Sequence, residues 1–333
     1  MSADANFAAQ RRGTPLGELA RRAWAFFGKS PAWPLLIALV IVFAIGHPRF
    51  LTPLNISSLM SQTVLVGILA IGLTPLVISG NIDLSVGSIA GFGACLLVLL
   101  HSMIGLTFGI PLMLIACTSI GLFNGLIVER LGLNSIIATL AVGTGLRGLT
   151  FLVFGTETVM APDFTLLDVS GIKVFGVALS VVTFLGVGVL VAMVLRFTTH
   201  GVNTFAIGGN RRAALDAGVG VTRHVLGNFA LSGFAAGLVG LIMVAELGAA
   251  SPVYGRDYEL WAIIAVVLGG TALAGGRGTV LGTIVAALSL TVLRNGLNLM
   301  KIEVRYVLII LGAVLIGALI LDRLRSGEPE TAE

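Results

Sequence analysis

"SGNIDLSVGS" (residues 79–88) stands between two long stretches without charge. No Asp, Glu, Lys or Arg occurs from Leu51 to Ile82, and none from Leu84 to Val128. An uncharged apolar run of about 20 residues is long enough to cross a bilayer as a helix. Asp83 is therefore a lone carboxylate between membrane-length segments, with Asn81 and Ser85 beside it and glycines at Gly80 and Gly87. A carboxylate fully in hydrocarbon costs at least ~2.5–3.5 kcal/mol on insertion scales. Asp83 is thus expected at the inner end of the second helix, at the cytoplasmic boundary or inside the protein, with a break in mid-membrane as the alternative. Its candidate partners are Arg147, Arg294 and the helix N–H groups that follow Ser85.

The rest of the chain agrees with that reading. Apolar residues make up 56% of 333 and charged ones only 11%, whereas a soluble domain carries about a quarter charged residues. The mean hydropathy is +1.04. The fold class is an all-α polytopic membrane protein of about ten transmembrane helices. Uncharged runs place them near 32–47, 55–79, 84–104, 107–128, 133–154, 175–195, 225–246, 259–275, 279–298 and 304–321. The boundary near 105 has only polar and Gly/Pro punctuation, and 259–275 is short and glycine-rich, as a broken or re-entrant helix would be. The 44 glycines suit helices that pack closely in lipid. Cys95 and Cys117 lie inside apolar runs and read as small core residues; no metal site is expected.

Lysine and arginine set the orientation. With the N-terminus inside, thirteen fall in cytoplasmic pieces and five, Arg49, Lys173, Arg256, Lys301 and Arg305, outside. An even span count returns the C-terminus to the cytoplasm. Arg147 and Arg294 remain as intramembrane charges. The domain reading is a cytoplasmic segment 1–30, one transmembrane domain 31–322, and a tail 323–333. In the first segment Leu16, Leu19, Ala20, Ala23, Trp24 and Phe27 share one helix face, with Arg21 and Arg22 opposite, as in a helix lying on an anionic membrane surface.

The inside loop 196–224 holds "GGNRRAALDAGVGV", which reads as a short helix. Asn210 suits its N-cap and Gly218 its C′ stop. Arg211 and Arg212 oppose the dipole at its start, and Ala213, Ala214 and Ala217 give it a flat face. Such a helix is either shaped for a partner or an ordinary basic loop.

Catalytic equipment is missing from the sequence. "FGKS" (27–30) lacks the first glycine of a P-loop, since Ala23 stands there, and no strand precedes it. "GGTALAGGRGTVLGT" (269–283) is glycine-rich without the Lys-Ser/Thr ending. His47, His101, His200 and His224 are scattered and read as loop or interface residues. No catalytic residue is expected. An ion-coupled carrier would call for several buried acids, and only Asp83 and Glu246 approach the membrane region.

Four blocks, in order, resemble the membrane-spanning permease subunit of bacterial monosaccharide ABC importers. They are "SGNIDLSVGSIAG" (79–91), "FNGLIVERLGLNSIIATLAVGTGLRGL" (123–149), "AIGGNRRAALDAGV" (206–219) and "YELWAIIAVVLGGTALAGGRGTVLGTIVAALSLTVLRNGLNLM" (258–300). Two departures occur. Asn81 replaces a commoner glycine, and Asn134-Ser135 stands where a proline pair is common.

The resemblance implies a multi-pass subunit of the bacterial inner membrane. It would pair with a second permease copy or close relative, a cytoplasmic ABC ATPase and a periplasmic sugar-binding protein. It implies that Asn210, Arg211, Arg212, Ala213, Ala214, Asp216 and Gly218 couple to the ATPase. Gly80, Asn81, Asp83, Ser85, Gly87, Gly269, Gly270, Gly275 and Gly276 are then helix-break or gate elements. ATP and Mg would be held by the partner ATPase, with no cofactor bound by this chain and no nucleic acid involved. Sister importers for nucleosides, branched-chain amino acids or a furanosyl signal share these features in part. Of the other classes, an ion-coupled carrier lacks buried acids and a membrane enzyme lacks a catalytic set.

Overall fold

Proline, glycine and asparagine set the ends of the apolar runs. In the computed structural model, described residues are 30–303 and, beyond them, 305–307, 309–310, 312–314, 316–317 and 320. The amphipathic N-terminal stretch with Arg11, Arg12, Arg21, Arg22 and Lys29, and the tail 323–333, lie outside the described residues. The helices are α1 (Ala32–Gly46), α2 (Pro53–Ile78), α3 (Val86–Leu131), α4 (Ser135–Phe154), α5 (Thr165–Ser170) and α6 (Leu179–Phe197). They continue with α7 (Thr199–Gly209), α8 (Arg211–Asp216), α9 (Val221–Leu247), α10 (Tyr258–Leu268) and α11 (Val280–Leu299). The described residues from 305 to 320 are helical. Two minimal antiparallel ribbons complete the described part: β1 (Val159–Met160) on β4 (Ala249–Ala250), and β2 (Lys173–Val174) on β3 (Val177–Ala178).

Six of these helices are long and apolar enough to cross a membrane: α2, α3, α4, α6, α9 and α11. α3 has twice the length a bilayer needs. It breaks at Gly105, whose φ of +74° and ψ of 173° no helix contains. Its halves fold back as a hairpin: a β-carbon on Gly93 would stand 2.8 Å from Cys117 Sγ, and one on Gly109 3.3 Å from Leu100 Cβ. The weakly punctuated boundary near 105 is thus a real reversal. The run predicted at 259–275 is helical only over the 11 residues of α10.

α2 is the central helix, with 83% of its apolar window inside the protein. α9, α10, α11 and α6 surround it. α4 and α6 are the most outward-facing, at 28% each. α9 lies along both halves of α3 at backbone contact, where Gly121 and Gly233 meet and a β-carbon on either would lie 3.0 Å from the other's Cα. This is the small-residue packing that replaces the hydrophobic effect between helices in lipid.

One correction concerns 196–224, which is not a loop. Thr198 Oγ1 accepts from Gly201 N and starts α7, so helix fills most of the segment. A second concerns Asn134-Ser135. Without a proline pair, Asn134 Oδ1 accepts the N–H groups of Ile136 at 2.9 Å and Ile137 at 3.4 Å. The side-chain cap starts α4 instead.

Candidate functional site

Asp83 lies in the turn between α2 and α3 and is 0% exposed. α2 ends in a Schellman turn: Gly80 N–H donates to Val77 O, Asn81 N–H to Leu76 O, and Gly80 takes a φ of +81°. That reversal carries the chain inward. Ile82 N–H then donates to Ser135 Oγ and Leu84 N–H to Thr139 Oγ1, pinning the turn to the first turns of α4. Asp83 Oδ1 accepts from Ser85 N at 2.9 Å and from Ser85 Oγ at 2.5 Å, with Asn124 Nδ2 at 3.4 Å. Oδ2 accepts from Ser232 Oγ at 2.9 Å.

The expected arginine partners are therefore corrected. Hydrogen-bond donors from α3 and α9, and the N–H of Ser85, satisfy the carboxylate. Arg147 lies two turns beyond Thr139 on α4, roughly 12 Å along the axis at 1.5 Å per residue. Its Nη1 donates to Pro252 O at 3.4 Å. Arg294 on α11 stacks over the Trp261 ring at 5.7 Å. Asn124 and Ser232 carry the network and were missed in the sequence, because an isolated Asn or Ser in an apolar run has no distinctive signal.

Three of the glycine-bearing blocks meet at the end of α2. Gly276 N–H donates to Ile78 O at 2.8 Å. Gly208, near the end of α7, packs so tightly that a β-carbon on it would overlap the same Ile78 oxygen and the Gly276 nitrogen. Gly275 sits on Gly208 and Ile78, and Gly276 on Gly209. Gly270 ends α10 in a second Schellman turn, with a φ of +91°, and Gly269 packs on the backbone of Thr283.

Beside this junction, α8 stands on its caps. Asn210 Oδ1 accepts from Ala213 N at 2.9 Å. Gly218 at φ +80° closes the far end, with Gly218 N–H to Leu215 O and Val219 N–H to Ala214 O. Arg211 opposes the helix dipole but pairs with Glu129 of α3 at 2.9 Å. Glu129 is only 1% exposed, so Arg211 is anchored to its own chain, while Arg212 and Asp216 are exposed. Ala214 is buried. Leu215, absent from the sequence reading, is 53% exposed and borders an open groove of about 650 Å³ lined also by Arg130, Val219, Arg223 and Leu226.

The histidines are less scattered than their positions imply. His224 Nδ1 lies 2.9 Å from His200 Nδ1, His200 Nε2 2.9 Å from Asn228 Oδ1, and Asn228 Nδ2 donates to Pro75 O at 3.3 Å. This chain ties α7 to α2 through α9. His101 faces Asp163 at 3.2 Å on the far side. Two hydrogen bonds from the Thr165 backbone and hydroxyl hold the exposed Asp163 carboxyl below its ordinary range, with His101 adding to them. Among the described residues no group of three or more His, Cys, Asp or Glu is placed to hold a metal ion.

Glu259 was also missed in the sequence. It lies in the first turn of α10, reached through Ser251–Asp257, which runs back along α3. There Gly87 and Gly91 lie against the carbonyls of Gly255 and Tyr254. Gly87 is small enough for the Glu259 carboxylate to lie over it.

A family model described as the branched-chain amino acid transport system permease component matches residues 55–319. The ribose import permease protein of Bacillus subtilis (strain 168) is 39% identical over 298 residues, 87% of this chain and 91% of its own. The D-allose transport system permease protein of Escherichia coli (strain K12) is 32% identical over 90% of this chain and 93% of its own. The L-arabinose ABC transporter permease protein of Azospirillum brasilense is 30% identical over 92% and 90%. No solved structure matches the chain.

Proposed function

The chain belongs to the family of branched-chain amino acid transport system permease components, and on that footing we propose that it is the permease subunit of an ATP-driven importer carrying a monosaccharide of the ribose type into the cytoplasm. The observation that carries this reading is the likeness to ribose, allose and arabinose permeases over nearly the full length of both chains. The protein sits in the bacterial inner membrane with ten spans, counting the two halves of α3, the half-helix α10 and the helical residues from 305 to 320. Both termini are cytoplasmic, and 31–322 is one permease domain.

On this reading α8 is the coupling helix. Its support is physical: it is capped at both ends, anchored through Arg211, and presents Arg212 and Leu215 beside an open groove. A cytoplasmic ABC ATPase holds ATP and Mg and docks there, so this chain hydrolyses nothing itself. A periplasmic binding protein delivers the sugar to the opposite face, and a second permease copy completes the pathway. The glycine junction, where α7 just ahead of α8 packs on Ile78, supports α2 as the element that docking moves.

The test is reconstitution of the chain with its ATPase and binding protein in liposomes, followed by uptake of labelled D-ribose, uridine and L-leucine. ATP-dependent ribose accumulation is expected. Uptake of uridine or leucine instead of ribose would replace the monosaccharide reading with a sister importer.

A further inference from the structure

Two opposite charges inside the transmembrane region remain unexplained by the fold. Arg147 lies past the middle of α4 and Glu259 in the first turn of α10. Arg147 uses Nη1 on the Pro252 carbonyl at 3.4 Å, and its Nη2 is buried without a hydrogen-bond partner. The Glu259 carboxylate leans on the backbone N–H groups of Asp257 and Glu259, within the electrostatic reach of Arg147. Its Oε2 is also buried without a partner. No ion pair among the described residues joins the two.

Such an arrangement is expensive if it has no use. A buried polar atom left unpaired costs ~1–3 kcal/mol, more when charged, and direct pairing would remove much of that cost. The backbone is also forced: Asp257 takes a φ of +65°, a region that only Gly, and sometimes Asn or Asp, visits readily. Gly255, at φ +70°, presses against Gly87. Strained backbone beside unpaired charges is what a preorganised site looks like. The place fits as well. The α3 turn beneath Gly87 carries the hydrogen-bonded Asp83 carboxylate, and α10 leads from Glu259 to the glycine junction at Ile78.

We propose that Arg147 and Glu259 form a sugar-binding station on the transport route, a step that rests on the monosaccharide reading above. A hydroxyl both donates and accepts. One hydroxyl of a neighbouring pair accepts from Arg147 Nη2 while the other donates to Glu259 Oε2. Each charged group then makes a charge-assisted bond that water outside would also make, so the sugar is held without being trapped. Gly87 leaves Glu259 Oε2 its place, since any side chain there would collide with it.

The test uses the assembled importer in proteoliposomes, with D-ribose, 2-deoxy-D-ribose and L-leucine as probes. Arg147→Leu and Glu259→Leu are each expected to lower ribose uptake at least ~10-fold, the loss of one charge-assisted bond, and to raise the ATP hydrolysed per sugar moved. Glu259→Gln, which keeps an acceptor, is expected to retain most uptake. The unaltered complex is expected to favour ribose over 2-deoxy-D-ribose, and Glu259→Leu to lose that preference while melting at the same temperature. Ribose uptake within two-fold of the unaltered protein in both Leu variants would overturn the station. So would full rescue by the double exchange Arg147→Glu with Glu259→Arg, which would make the two a structural pair. An unaltered complex that moves leucine but no ribose would instead defeat the monosaccharide reading itself, and with it the sugar assignment.

Discussion

The backbone N–H of Gly276 donates to the carbonyl of Ile78 at 2.8 Å, and Gly208 packs onto the same oxygen beside that N–H. The end of the central helix, the end of α7 and the turn after α10 therefore share one carbonyl. A methyl group cannot be added to Gly208 without moving two backbones. Overpacking of this kind costs typically ~1–3 kcal/mol and more when backbone must shift. Gly208→Ala is expected to lower the melting temperature and abolish uptake. Gly209→Ala, which meets nothing within 4 Å, is the matched control and is expected to behave as the unaltered protein.

Asp83 is a junction of hydrogen bonds rather than a free charge. Asp83→Ala strands Ser85 N–H and the hydroxyls of Ser85 and Ser232 in a buried site, while Asn124 Nδ2 keeps its bond to Ser85 Oγ at 2.7 Å. The expected loss is a few kcal/mol, at ~1–3 per stranded donor, read as a lowered melting temperature in detergent. Ser232→Ala leaves Asp83 Oδ2 without that donor and is expected to cost ~1–3 kcal/mol, less than Asp83→Ala. Equal stability of Asp83→Ala and the unaltered chain would remove the network from the account of the fold.

The two arginines that open α8 should separate. Arg211→Ala leaves the buried Glu129 unpaired and is expected to destabilise the α8 end by ~1–3 kcal/mol, discounted because Arg211 is half exposed. Exchanging the pair, Arg211→Glu with Glu129→Arg, should recover much of it. Arg212→Glu is expected to leave melting unchanged while lowering ribose-stimulated ATP hydrolysis. Melting curves beside ATPase rates decide the point.

Leu215→Asp tests docking by a different chemistry. The side chain is 53% exposed, so its loss should hardly change the fold. Co-purification of the ATPase is expected to fall at least ~10-fold, the loss of one exposed leucine contact. Undiminished co-purification would move docking away from α8.

Orientation has its own check. Phe175 is fully exposed in the ribbon segment opposite α8, and both native cysteines are buried. In intact cells, Phe175→Cys is expected to react with a membrane-impermeant thiol reagent and Asp216→Cys only after lysis. The reverse pattern would invert the topology.

Much of the helix layout was legible in the sequence, because the length of an uncharged run measures the bilayer. The Gly105 reversal, the α2 end at Gly80, and the caps at Asn210 and Gly218 were readable from local chemistry alone. The partners were not. Hydropathy reports which side chains avoid water, and says nothing of which polar atoms meet across the interior. Asn124 and Ser232 look like ordinary polar residues until Asp83 arrives between them. Arg147 was drawn toward Asp83 by charge, yet α4 carries it two turns past. Glu259 was overlooked because it opens an apolar run that the sequence presents as an ordinary span, and Glu129 because it sits at the end of one.

The half-helix α10 also bears on how the protein is made. Its 11 residues reach only ~16 Å at 1.5 Å per residue, about half of a bilayer core. The rest of the crossing is the non-helical chain Ser251–Asp257, whose carbonyls lie against Gly87 and Gly91. Bare peptide groups cannot face lipid. This piece therefore cannot enter the membrane as an independent segment during synthesis. It has to wait for α3 and α4, already inserted, to offer a protein-lined berth, which makes the C-terminal third of the chain a client of the first two thirds. In a fully synthesised chain whose α3 had been disrupted, that stretch would still be held outside the bilayer core.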